Sequence, residues 1–283
     1  MDLSVGDRVR HPAMPDWGIG EVVEPRDSGK VAIFFEHVGE KVLKGVPLEK
    51  ATGAELTRPI VVRRAGKSGR RLRARSMQEY VAVFLDEFPQ GFREPLYINR
   101  ERAYKVEASD LLRTELSQHI VQGLIDAREY ERVCGLAGKV VNATNVIYPN
   151  EKMSLRDGLR SPENAERFAT GLYRLLYSTE TFESRFAAFV NILSDMGAAR
   201  WTVATYFPYL AMPTEHMFLK PVPTRRIAEA CGVELNYRPE PNWLIYQCLL
   251  RLAERLKETL ADLEPRDMID LQGFVSLVAR NAA

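Results

Sequence analysis

An eighteen-residue run at positions 58–75, RPIVVRRAGKSGRRLRAR, constrains the fold of this chain more than any other feature. It carries eight positive charges (Arg58, Arg63, Arg64, Lys67, Arg70, Arg71, Arg73 and Arg75) and no negative one. Like charges at that density repel one another, and Gly66 and Gly69 add backbone freedom, so the run reads as a connector and not as part of a core. It divides the chain into a short piece and a long one, and the hydrophobic period differs on its two sides.

Before the run, the pattern is that of strands. Val5-Gly6-Asp7-Arg8-Val9-Arg10 opens with a turn and then alternates. Gly18–Val23, Lys30–Phe35 and Glu40–Leu43 are further short segments, separated by the turn signals Asp27-Ser28-Gly29 and Val38-Gly39. Four short strands in so few residues predict a small bent barrel. Val22, Val31, Ile33 and Phe35 alternate into its interior, Gly18 and Gly20 permit a corner or bulge, and Trp17 covers one end.

After the run, the period becomes helical. Ser76-Met77-Gln78-Glu79 has the form of a capping box, and Val81, Phe84, Leu85 and Phe88 share a face before Pro89 ends the helix. Further helices are expected near 100–118, 126–143, 162–178, 181–196, 223–231, 242–263 and 265–281. Pro162 and Pro265 stand at helix starts, and Gly197 and Gly232 stand where helices end. The stretch 201–221, WTVATYFPYLAMPTEHMFLKP, reads either as a strand or as a short helix crossing the core. The aromatic positions Tyr173, Tyr177, Phe182, Phe186, Phe189, Trp243 and Tyr246 read as core. The expected architecture is an α+β multidomain chain: an SH3-like or Tudor-like β-barrel at 1–52, a basic linker at 53–75 and a mainly α-helical domain at 76–283. A chain of 283 residues suits such a division.

The net charge is +1, so attraction to a polyanion must be local. Cys134, Cys231 and Cys248 are odd in number, far apart and without C-x-x-C spacing, which fits a reducing compartment and argues against a structural zinc site. The N-terminal residues have no apolar signal-peptide region, and no stretch approaches eighteen uninterrupted apolar residues. The expected location is cytoplasmic, with no membrane contact.

Val9-Arg10-His11-Pro12, Trp17-Gly18-Ile19-Gly20-Glu21-Val22 and Val31–Leu43 together follow the pattern R-H-P…W-G-x-G-x-V…V-x-F-x-H-x-G. In this the N-terminal piece resembles a small bacterial domain family of unknown function. It also looks like the C-terminal Tudor-like module of UvrD-type and PcrA-type helicases and, more distantly, the RNA-polymerase-interacting domain of CarD-like transcription factors. The resemblance covers about a sixth of the chain. In the helicase and CarD-like cases it implies docking on RNA polymerase through a strand edge.

The candidate sites follow from this. His11, Trp17 and Phe35 are the expected partner-binding residues of the barrel. The cations of 58–75 are expected to bind nucleic acid, DNA ahead of RNA, because guanidinium groups match phosphates in a bidentate way. Arg225 and Arg226 join them: with Thr224 as a cap they would stand in the first turn of a helix, where positive charge opposes the dipole unless it meets an anion. No catalytic residue, metal or cofactor is expected. There is no G-x-x-x-x-G-K-[ST], G-x-S-x-G or H-E-x-x-H motif, and His11, His37, His119 and His216 are scattered. The resulting expectation is a non-catalytic, nucleic-acid-associated binding protein. Two alternatives stand beside it. One is a metal-dependent nucleic-acid-processing enzyme using Asp267, Asp270 and His216. The other is a structural adaptor whose helical domain docks proteins.

Overall fold

The computed structural model describes residue 3 and residues 7–26, 30–35, 39–51 and 76–280. Five antiparallel strands, β1 (Arg8–Arg10), β2 (Ile19–Arg26), β3 (Lys30–Phe35), β4 (Gly39–Lys44) and β5 (Glu49–Lys50), form one sheet in the order β4-β3-β2-β1-β5. The period-2 alternation sets its faces. Val9, Val22, Ile33 and Phe35 meet Leu48 in a small core, ringed by Leu3, Trp17, Val31 and Leu43. β2 carries an irregularity, a register shift against β3 between Val22 and Glu24. Gly20 has a different task. A Cβ there would lie 2.6 Å from Ile33 Cγ2 and 2.7 Å from Phe35 Cδ1, so the absent side chain makes room for the core. β5 is only two residues long and carries no sequence pattern. It is held by pairing of Lys50 with Val9 and by Ala51 N donating to Arg8 O.

The opposite face of the sheet is buried too. Arg8, Glu21 and Phe34 form one cross-strand row, and with Ile19 and Ala32 they are all at least nine-tenths buried. Helix α11 (Trp243–Thr259) meets this face at Arg8. Its Leu244, Gln247 and Arg251 follow helical spacing along one side. The Arg8 guanidinium reaches Gln247 Oε1 at 3.5 Å, and Arg251 acts electrostatically on Glu21.

The helical part begins with α1 (Met77–Glu87), whose capping box is complete: Ser76 Oγ accepts from Glu79 N, and Ser76 N donates to the Glu79 carboxylate. A single turn α2 (Pro95–Tyr97), a π turn (Ile98–Arg102) and α3 (Ala103–Glu115) run on without a break. There follow α4 (Gln118–Asp126), α5 (Tyr130–Asn142), α6 (Pro149–Gly158), α7 (Pro162–Tyr177) and α8 (Phe182–Asp195). α9 (Trp201–Ala211), α10 (Pro221–Ala230), α11 and α12 (Met268–Arg280) complete the set. Gly197 and Gly232 have positive φ, and each is followed by the amide-to-carbonyl bond of a Schellman turn (Ala198 N to Leu193 O, Val233 N to Ala228 O).

The ambiguous stretch after residue 200 is the central helix. Every residue of α9 from Trp201 to Leu210 is buried, and α3, α6, α7 and α8 pack around it. A helix apolar all round belongs in a core. Most of its polar atoms have internal partners. Thr202 Oγ1 donates to Glu151, Thr205 Oγ1 donates to Trp201 O and accepts from Leu219 N, and Tyr206 OH donates to Val140 O at 2.8 Å. α12 closes the body against α1, with Phe84 and Phe274 in edge contact at 5.3 Å. Among the described residues no helix is long and apolar enough to cross a membrane.

Candidate functional site

The three partner-binding candidates converge. His11 follows β1, Trp17 ends a 3-10 turn (Pro15–Trp17) and Phe35 ends β3. Trp17 stands edge-on to both others, 5.0 Å from His11 and 5.1 Å from Phe35 between ring centroids. Phe35 is fully buried and His11 nearly so, with no hydrogen-bond partner for His11 Nδ1 among the described residues. The cluster closes one end of the sheet's core, and Trp17 is the part that reaches the surface. At the far side, β4 is an edge strand of the described sheet, and Val42 on it is 45% exposed. Such an edge presents backbone donors and acceptors to which another strand can add.

The eight cations of 58–75 lie outside the described residues. Their charge still sets the electrostatics of the chain. The net +1 contains eight charges from this run, so everything else together carries −7.

Arg225 and Arg226 are not where the sequence places them. Lys220, not Thr224, is the N-cap of α10, followed by Pro221 and Pro223 in the first turn. Thr224 N donates to Lys220 O, its side chain is fully buried, and its hydroxyl has no hydrogen-bond partner among the described residues. Both arginines therefore fall in the second turn. The two prolines also strip N–H donors from the helix start, which removes the basis for anion binding there. The arginines instead line a cleft of about 480 Å³ between α10 and the returning segment 232–237. Glu229, Glu234, Asn236 and Tyr237 line it too. The Arg225 guanidinium lies over the Tyr237 ring, 5.2 Å from its centroid. Burial raises the Tyr237 hydroxyl above its ordinary range, and Arg225 opposes the shift. Asn236 holds a left-handed backbone with φ of 45°, a conformation that non-glycine residues keep only where their surroundings impose it. Nearby, at the start of α10, Lys220 Nζ stands over the exposed ring of Tyr148 at 4.8 Å.

Asp267, Asp270 and His216 are not assembled as an enzyme reading requires. Asp267 Oδ1 caps α12 by accepting from Ile269 N and Asp270 N. Arg102 grips both Asp267 oxygens at 2.7 Å and lies 3.0 Å from Asp270 Oδ1. Asp270 is wholly buried and also accepts from Tyr97 OH and from the Arg266 backbone and side chain. The two carboxylates are thus engaged by arginines and by the helix start. No group of three His, Cys, Asp or Glu side chains among the described residues is arranged to hold a metal ion. His216 sits in a separate aromatic stack, 3.9 Å from Phe182 between centroids, with Nδ1 3.1 Å from Tyr246 OH. Burial, with help from Arg185, lowers its pKa to about 4, so it is neutral near pH 7.

Two features went unread in the sequence. Lys105 and Glu101, at i and i+4 around the π turn, form a buried pair with Nζ 3.6 Å from Oε2. The signal was present as E-x-x-x-K, but nothing local marks it as buried. Tyr237 was the other, and its neighbour Asn236 before Tyr-Arg-Pro was the available turn signal. Cys134, Cys231 and Cys248 are free thiols, and burial pushes their pKa values up to about 12, 11 and 11.

A family model, Protein of unknown function (DUF3553), matches residues 3–50, the stretch that contains all five strands and the His11–Trp17–Phe35 cluster. No curated protein and no solved structure matches the chain.

Proposed function

We propose that this chain is an intracellular, non-catalytic, nucleic-acid-associated binding protein. In this reading the sheet is an SH3-like or Tudor-like barrel that docks a protein partner. RNA polymerase is the partner that the resemblance to CarD-like and helicase modules implies. The β4 edge and the Trp17 end are the surfaces offered to it. The cations of 58–75 contact DNA.

The observation that carries the reading is the segregation of charge. Eight positive charges stand in eighteen residues of a chain whose remainder is net −7. Phosphate contacts of this kind supply most of non-specific affinity for nucleic acid. The ion pairs at Asp267 and Asp270 weigh in the same direction, because a carboxylate held by arginine is not available to a metal.

The test is fluorescence anisotropy of labelled duplex DNA at several salt concentrations. A variant carrying Arg63→Ser, Arg64→Ser, Arg70→Ser, Arg71→Ser and Arg73→Ser is titrated in parallel. With four phosphates engaged, log K falls against log salt with a slope of about −3.6, and the variant loses most of that slope. Equal binding by both proteins removes the linker cations from the reading, and no binding by either removes nucleic acid from it.

A further inference from the structure

The cleft beside α10 has a composition that narrows its ligand. Two guanidinium groups, Arg225 and Arg226, share the lining with two carboxylates, Glu229 and Glu234, so it is close to neutral. A bare anion gains little in such a place. A ligand that carries an anionic group and N–H donors on one framework satisfies both halves. A nucleotide with an amino-bearing base is such a framework, with phosphate for the guanidinium side and an exocyclic amino group for a carboxylate.

The stacking element is already formed. Arg225 is exposed and lies over the Tyr237 ring, which holds the guanidinium in place and leaves its outer side to solvent. Guanidinium planes and aromatic rings are the surfaces on which unpaired bases stack. Glu151 at the start of α6 acts electrostatically on Tyr237. Lys220, the N-cap of the same helix α10, stands over the Tyr148 ring and adds a second ring and a third cation at the start of that helix. A base inside a duplex cannot reach such a platform, whereas a base in a single strand can.

We propose that this cleft binds one nucleotide unit of single-stranded nucleic acid. The base stacks on Arg225 over Tyr237, its amino group donates to Glu234, and the adjoining phosphate lies toward Arg226. This rests on the reading of the chain as nucleic-acid-associated and adds to it a site and a strand preference.

The experiment titrates the full chain into short labelled oligo(dC), oligo(dT) and a duplex of equal length. Wild type is compared with Arg225→Lys, Tyr237→Leu and the five-arginine variant, and thermal unfolding by circular dichroism checks each fold. Wild type is expected to prefer oligo(dC), because cytosine has the amino donor that thymine lacks. Arg225→Lys keeps the charge and loses the plane. It and Tyr237→Leu are expected to weaken oligo(dC) binding about five- to tenfold, to abolish the preference and to leave the duplex unaffected. Because Arg225 is exposed, its lysine variant decides the matter even if the Tyr237 variant fails to fold. Wild-type affinity for oligo(dC) in Arg225→Lys, or equal wild-type binding of the two oligonucleotides, overturns the proposal. If only the five-arginine variant loses binding, the cleft assignment fails and the broader reading stands. If only the cleft variants lose it, the linker assignment fails and the cleft stands. If wild type binds no oligonucleotide, both fail.

Discussion

In the sheet, five residues make up the enclosed core, and the second face of the same strands is also buried, with α11 in contact at Arg8. In the helical body, α9 is buried over ten consecutive residues by neighbours belonging to that body. The first region borrows part of its burial from the second, and the second needs little from the first. A unit of about fifty residues is marginal even with all its apolar surface covered. Here Ile19, Ala32 and Phe34 would face water if the sheet stood alone. The residues matched by the family model are thus expected to depend structurally on the chain that follows them, α11 included.

The sharpest way to break this comparison is to separate the regions. A fragment of residues 1–57 is expected to show no cooperative unfolding by circular dichroism and to self-associate in light scattering, while 76–283 retains a cooperative transition. A monomeric, cooperatively folded fragment would refute the dependence. A smaller effect tests the polar networks. Arg102→Ala leaves Asp267 and the buried Asp270 without their shared cation, with an expected loss of roughly 3–5 kcal/mol in urea unfolding.

Acid acts differently on the two regions. His216 has a folded pKa near 4, below its ordinary 6.5, so between those values the unfolded chain takes up a proton that the folded chain refuses. Stability contributed there is full above pH 6.5 and declines as pH falls, by about 3 kcal/mol near pH 4. A His216→Gln variant is expected to flatten that slope in thermal melts across the window. Glu21 in the sheet is shifted the other way: burial raises its carboxyl pKa against the pull of Arg8. Its ionised form therefore costs stability at neutral pH, a cost relieved as pH falls. Glu21→Gln leaves the buried Arg8 guanidinium without its counter-charge while keeping an oxygen acceptor beside it, and is expected to cost roughly 1–3 kcal/mol at pH 7. A loss several times larger would show that the Arg8–Glu21 pair holds the sheet on α11.

The alternation of Val31, Ile33 and Phe35 and the capping box at Ser76 were legible because each is a local rule with a strong period or partner. β5 was not, since two residues have no period, and its existence depends on pairing with Val9. α9 stayed ambiguous because a helix without a polar face has no moment to read. α4 and α6 were missed, being short and closely flanked by other helices. For the site, the pattern brought His11, Trp17 and Phe35 forward, and the structure places them in contact. It misplaced Arg225 and Arg226 by one turn, because Thr224 is a better cap residue than Lys220 by propensity, yet Pro221 and Pro223 fix the helix start. The burial of Asp270 between Arg102 and Arg266 is a tertiary fact joining distant segments, and no local pattern reports it.

The contact between Arg8 and Gln247 spans 239 positions, and that between Tyr97 and Asp270 spans 173. At a synthesis rate of roughly 5–20 residues per second, α11 follows the strands out of the ribosome after on the order of 10–50 s. During that interval the first strands exist without their cover, and the arginine-rich run emerges before the body it joins. Ile19 and Phe34 are then an exposed apolar surface of the transient kind that makes folding intermediates prone to aggregate.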